Sequence, residues 1–394
     1  MQTSHEVTYD PTNPAPWYRY MRENHPVYYD EQMKMWYLFR HEDVQRATHD
    51  YKTFSAAGSK GDSYLGSSFL SMDPPRHRQY RTLVSQAFTP RSIARIEPRI
   101  VDIVNQLLDT VAESGKLDLV TDFAFPLPAT VISELFGIPA ADHDYFKQMS
   151  DRTMAEIEIL TLITEFPAQS ELAAYLLPLI EQRRQKPGDD LISSLVQAEV
   201  DGEKLSTYDI QSTCVLVLLA GYETTTTLIG NALFCFTEHP EQAILEDLRT
   251  HPDLMAGAIE EVLRYRPPVT GIPRLAVTET RIGGTTIPGG NMVNLQLASA
   301  NRDEQVFADP ERFDIRREAN EHVAFGYSIH FCLGAPLARV EGRIAMNALL
   351  KRLPDLRRDP EVPVQLTVGP GGFFQSTKHF PMLFTPQAKR AINR

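Results

Sequence analysis

Apolar residues recur every three or four positions along most of this chain, the period of a helix with one buried face. Over residues 91–114, Ile100, Val101, Val104, Leu107, Leu108 and Val111 fall on one such face. The same period predicts helices over 127–137 and over 143–186, the latter interrupted at Pro167, with a short helix from Leu191 to Glu199 after the Pro187-Gly188 break. Ser206 or Thr207 then caps a longer helix running to about Thr237, roughly 45 Å at about 1.5 Å per residue. It is apolar nearly all round, from Val215 to Ala220, which predicts that it is buried. Further helices fit 240–250 and 252–266, the second stopped by Pro267-Pro268, and a last one runs from Ala335 to about Leu353.

Short aromatic and β-branched runs are rarer. Pro26–Tyr29 and Met35–Phe39 flank a charged turn and predict a β-hairpin. Residues 42–58 read as a short helix and a loop, and the Gly/Ser-rich stretch Gly58–Ser71 as a long mobile loop. Beyond Val269, strands are expected at 274–277, 285–287 and 292–295, separated by glycine turns, with a β-like tail holding Gly369–Phe374. Without repeats or a linker, the expectation is a mainly α fold with a minor β part, one large domain over residues 1–394 with a long central helix.

Composition narrows the function. The 39 basic and 51 acidic residues leave a charge of −12, which argues against nucleic-acid binding. Three cysteines are too few for a disulfide framework and suit a reducing compartment. The first residues lack a signal pattern, and the longest apolar run is far short of the roughly 20 residues of a membrane span. A cytoplasmic protein is expected. No glycine-rich phosphate loop follows a strand, so no nucleotide or flavin domain is expected.

Four places carry chemistry. Cys332 lies in the glycine-punctuated stretch Phe325–Gly334, just ahead of a helix whose N-terminus favours a thiolate, although a buried turn cysteine would look the same. Ala220-Gly221-Tyr222-Glu223 and four consecutive Thr sit badly inside a buried helix, and such conflicts gather at functional sites. The milder explanation is a core Thr bonded back to the carbonyl four residues earlier. His77 and Arg81 share a helix face, as an anion clamp or as an ordinary solvated face. Glu261 and Arg264 are a common i, i+3 pair that signals nothing in isolation.

Together and in this order, these motifs resemble the cytochrome P-450 superfamily of haem-thiolate monooxygenases over essentially the whole chain. Phe325, Gly326, His330, Cys332 and Gly334 match the haem loop, with Ser328 in place of its second glycine. Ala220, Gly221, Glu223, Thr224 and Thr225 match the oxygen-activating helix, although Tyr222 stands where many relatives carry His, Asn or Gly. Glu261 and Arg264 match E-x-x-R, and the third member of that triad falls on Arg312.

The resemblance implies that haem b lies under the long helix with Cys332 as the axial iron ligand, its thiolate favouring O–O cleavage. It further implies that His77, Arg81, Arg274 and His330 hold the haem propionates, with Phe325 beside the haem, and that Glu223 and Thr224 manage protons. The implied reaction inserts one oxygen atom into a hydrophobic small molecule, by hydroxylation or epoxidation. Electrons would come from a ferredoxin or flavodoxin with its reductase, docking through Arg78, Arg339 and Arg343; a monomer without membrane contact is expected. Leu65, Phe69, Leu70, Leu219, Ala220, Val269, Thr270, Ile272 and Phe373 are the expected substrate-pocket walls, suiting a polyketide, terpenoid, steroid or fatty acid. The competing readings are a peroxide-using peroxygenase, a haem-binding sensor or carrier, and a half zinc site at Cys332 and His330.

Overall fold

The computed structural model describes residues 7–389 except 11, 58–63, 87, 159–166, 201, 239–242, 319 and 369–374. In chain order its elements are α1 Ala15–Asn24, β1 Val27–Asp30, β2 Met35–Leu38, α2 His41–His49, β3 Phe54–Ser55, α3 Arg76–Ser85, α4 Pro90–Val111, β4 Lys116–Asp118, α5 Pro126–Phe136, α6 His143–Glu158, α7 Pro167–Gln185 and α8 Leu191–Gln197. Then come β5 Glu199–Val200, β6 Glu203–Lys204, α9 Thr207–Glu238, α10 Ile244–Thr250, α11 Met255–Tyr265, β7 Ile272–Ala276, β8 Thr280–Ile282, β9 Thr285–Ile287, β10 Met292–Leu295, α12 Leu297–Ala300 and α13 Ala335–Arg352. The tail adds β11 Arg357–Arg358, β12 Gln365–Val368, β13 Gln375–His379 and β14 Pro381–Leu383.

The long helix forms where the apolar pattern puts it. Ser206 and Asp209 cap α9 reciprocally: the Asp209 N–H donates to Ser206 Oγ at 3.1 Å and the Ser206 N–H to Asp209 Oδ2 at 3.0 Å. Two apolar cores meet along it. Its first half, Ile210 to Tyr222, packs with α5 to α8, and its second half, Leu228 to Phe236, packs with α4, α11 and α13. Among the described residues α9 is long and apolar enough to cross a membrane, but 72% of that stretch is buried within the fold. It is a core helix, and burial of its apolar surface is what drives its place there.

The larger sheet has the order β1-β2-β10-β7-β3. The expected hairpin forms β1 and β2, antiparallel with Tyr28 opposite Tyr37. Residue β10 Asn294 pairs in parallel with Tyr37, and Val293 pairs antiparallel with Arg274, so Arg274 sits in the middle of the sheet on its buried side. Among the described residues, a smaller sheet, β11-β14-β4, and three two-stranded ribbons make up the rest. Of the expected mobile loop, 58–63 lies outside the described residues, while Phe69–Ser71 is a helical turn that brings Phe69 into the core.

Candidate functional site

The cysteine loop is folded by its own backbone. Cys332 N–H donates to the Phe325 carbonyl at 2.8 Å, and the turn between them uses left-handed backbone at Gly326 (φ 73°) and Ser328 (φ 64°). Ser328 takes the glycine-like conformation despite its side chain, and its Oγ lies 3.3 Å from His49 Nδ1 on α2. The sulfur faces the first turn of α13. Burial pushes the Cys332 thiol up, while the Gly334 and Ala335 N–H groups and the Arg81 and Arg339 charges favour its thiolate. Cys214 and Cys235 are fully buried in α9, and desolvation pushes the Cys235 thiol up to about 12.

Four groups of one character converge beside it. α3 brings His77 and Arg81, β7 brings Arg274, and the loop brings His330. The His77 and His330 rings are 4.2 Å apart, centroid to centroid. Both ring nitrogens of His330, and Nε2 of His77, are buried without a well-aligned hydrogen-bond partner. Desolvation first, then the charges of Arg274, His77 and Arg81, hold His330 down to about 3. Burial takes Arg274 down to about 10; its Nη1 donates to the neighbouring Pro273 carbonyl at 2.7 Å. Arg81 Nη2 donates to the Phe331 carbonyl at 2.6 Å and its guanidinium lies 5.6 Å over the Phe69 ring. Asp73, the carboxylate that acts on His77 and Arg274, already accepts from Ser55 Oγ at 2.5 Å and Ala56 N–H at 3.1 Å. Buried donors with their bonding capacity unused are costly, and two carboxylates placed among them would satisfy it. The residues present fit the propionate edge of a haem.

An opening runs along one face of α9. Val217, Ala220, Gly221 and Thr224, spaced as one helical stripe, escape burial in a helix otherwise almost wholly buried from Ile210 to Phe236, and Ala220 is exposed. Thr224 Oγ1 donates back to the Ala220 carbonyl at 2.5 Å. Tyr222 points the other way: it is 1% exposed and meets the Phe125 ring edge-on at 4.6 Å. Gly221 lies so close to α5 that a Cβ would come within 2.9 Å of Ile132 Cδ1. The atypical Tyr222 is therefore packing between α9 and α5.

Glu261 and Arg264 form a fully buried bidentate pair, both bonds 2.8 Å. Their third partner is corrected by the structure. Arg312 turns its side chain outward, 69% exposed beside Asp314, and gives the triad only its carbonyl. Arg317, 12% exposed, reaches Glu261 with Nε at 3.1 Å, because the bend after Asp314 carries it back over α11. The three arginines expected at a docking face differ among themselves. Arg339 is held by Glu260 and Arg343 by Glu97, while Arg78 is exposed. Of the expected pocket walls, Leu65, Phe69 and Leu219 share one apolar cluster, whereas Val269 and Ile272 pack against the sheet and Thr270 is buried. Leu70 is 44% exposed and outside these clusters, and Phe373 lies outside the described residues. Sequence reasoning missed Asp73, Arg317, His49 and the Glu260–Arg339 pair; only the last had a signal, an acid next to Glu261.

The sequence matches the family model described as Cytochrome P450 over residues 16–380. It is 40% identical to the erythromycin C-12 hydroxylase of Saccharopolyspora erythraea, covering 95% of each chain. It is 42% identical to the cyclomarin C epoxidase CymV of Salinispora arenicola, covering 85% of this chain and 88% of that one. A crystal structure of CYP109E1 from Bacillus megaterium in complex with testosterone superposes with a TM-score of 0.87 at 37% identity, over 95% of this chain and 99% of that one.

Proposed function

This chain belongs to the cytochrome P450 family, and we propose that Cys332 is the axial ligand of its haem iron, with His77, Arg81, Arg274 and His330 holding the propionates. The protein is a haem b monooxygenase that inserts one oxygen atom from O2 into a hydrophobic substrate. The observation that carries the residue assignment is the convergence of four cationic or imidazole groups, with buried ring nitrogens lacking well-aligned partners, beside a cysteine at a helix N-terminus.

Haem, when bound, supplies the activation of dioxygen. The chain supplies the surroundings. The Gly334 and Ala335 N–H groups favour the thiolate against the effect of burial and would limit how much electron density the sulfur donates. Phe325 shields that side of the site. The Val217–Thr224 stripe of small residues leaves room for oxygen and substrate. Thr224 Oγ1 relays protons into the cleft by exchanging its bond to the Ala220 carbonyl for one to water, and Glu223 replenishes them. Leu65, Phe69, Leu219 and Ala220 form the apolar wall, and Val269, Thr270, Ile272, Leu70 and Phe373 are the further wall residues that the family resemblance implies. Polyketides, terpenoids, steroids and fatty acids suit that lining.

All of residues 1–394 work as one domain, a cytoplasmic monomer. Electrons come from a separate ferredoxin or flavodoxin and its reductase, in line with the need of bacterial relatives for redox partners. Carbon monoxide added to the reduced protein gives the test. A far-red, thiolate-type Soret band is expected in the wild type and is lost in Cys332→His; a wild type without that band rejects Cys332 as the ligand.

A further inference from the structure

Two glutamates stand side by side on α11 and face opposite ways. Glu261 closes the buried triad. Glu260 instead reaches the cysteine loop from outside. Its Oε1 accepts from Arg339 Nε at 2.6 Å and its Oε2 from Arg339 Nη2 at 2.8 Å, the two-pronged geometry that makes such pairs strong. The same Oε2 lies 3.2 Å from His322 Nε2. His322 Nδ1 accepts the Ala324 N–H at 3.2 Å, which leaves the ring proton on Nε2, pointing at Glu260. Burial disfavours a charge there, yet the bonds from Arg339 and His322 outweigh it and take the Glu260 carboxyl down to about 2. It is a carboxylate at any working pH.

Its two partners flank Cys332 in sequence. His322 anchors the entry to the loop, its side chain 3% exposed and its ring 6.1 Å from Phe325. Arg339 lies on the helix leaving the loop, with its guanidinium 4.6 Å over the Phe325 ring. The Phe325 carbonyl takes the Cys332 N–H, and the Arg339 charge acts on the sulfur. One carboxylate thus holds both ends of the loop and offsets the cation nearest its outer face.

We propose that Glu260 is a positioning residue for Cys332, fixing Arg339 over Phe325 and setting how much positive charge the sulfur and its iron experience. The proposal rests on Cys332 being the iron ligand. Reducing the iron adds a negative charge, which a nearby cation favours and a nearby anion opposes. The pair is partly exposed, so salt weakens the effect.

The test is the midpoint potential of the haem protein in redox titrations at low and high salt. Glu260→Gln is expected to shift the potential upward and Arg339→Gln downward, with the double variant returning close to wild type. A purely structural salt bridge would lower thermal stability in all three without opposite shifts, and that result overturns the proposal. Should Arg339→Gln fail to accumulate, Glu260→Asp carries the comparison. It keeps the charge and is expected to hold the wild-type potential, so an upward shift equal to that of Glu260→Gln overturns the proposal. The thiolate Soret band of the reduced carbon monoxide complex is read first. Its absence from the wild type rejects the ligand assignment and the proposal together; its presence without opposite shifts rejects only the role of Glu260.

Discussion

Ser328 holds a left-handed backbone, φ 64°, that costs a side chain about 1 kcal/mol relative to glycine. Part of that is offset by its contact with His49 and by the extra freedom glycine has in the unfolded chain. Ser328→Gly should therefore leave the melting temperature unchanged or slightly raised, whereas Ser328→Val lowers it by several degrees. Glu341 is a second residue under tension. It is 2% exposed on α13, its Oε2 has no hydrogen-bond partner among the described residues, and desolvation raises its carboxyl to about 8. In the unfolded chain this acid ionises near its usual value, so between roughly pH 4.5 and 8 the folded state binds the extra proton. Stability from this group falls as pH rises through that window, by on the order of 5 kcal/mol for the full shift. Glu341→Gln should flatten the dependence and raise stability at pH 8 more than at pH 5, as urea titrations at the two pH values would show. Thr224→Ala should leave fold and substrate binding intact but consume oxygen without matching product. Equal ratios of product to oxygen in variant and wild type would remove Thr224 from the proton route.

At the scale of elements, α11 is the hub. Glu261 inside and Glu260 outside tie it to the segments before and after the cysteine loop. Arg317→Ala removes charge-assisted hydrogen bonds to a buried carboxylate that Arg264 still pairs, so it should cost about 2 kcal/mol, while Arg312→Ala stays within about 0.5 kcal/mol. Thermal melts of the two variants separate the assignments: equal losses would restore Arg312 to the triad. The helix α9 shows how one element serves two purposes. Its apolar faces fix it between two cores, and the stripe from Val217 to Thr224 is kept open by small residues and by Tyr222 turning toward Phe125.

At the scale of the molecule, the charge of −12 makes attraction of an acidic donor depend on local arginines. Arg339 and Arg343 are neutralised by Glu260 and Glu97, which leaves Arg78 as the exposed cation of the expected three. Reduction by a ferredoxin should still slow with salt, and Arg78→Ala should weaken that dependence more than Arg343→Ala. Stopped-flow reduction at several ionic strengths checks this, and a salt-independent rate would argue against an electrostatic encounter.

Much was legible in the residues themselves. Helical period, prolines and capping residues placed α4, α5, α9, α11 and α13, because local backbone preferences and apolar faces act within a few residues. The reaction class was legible only through the resemblance of the ordered motifs to the cytochrome P450 family; taken alone, Cys332 at a helix start and Glu223-Thr224 inside a buried helix mark candidate functional sites and no more. What the sequence could not specify is which distant side chains meet. Nothing local separates Arg317 from Arg312, five residues apart in one irregular segment, until the bend after Asp314 delivers one to Glu261 and turns the other to solvent. Nor does sequence spacing say that Asp73 is consumed by Ser55, that Arg339 is spoken for by Glu260, or that Tyr222 leaves the cleft. Those outcomes depend on how elements far apart in the chain pack, where desolvation makes a buried charge seek whichever partner the fold brings within reach.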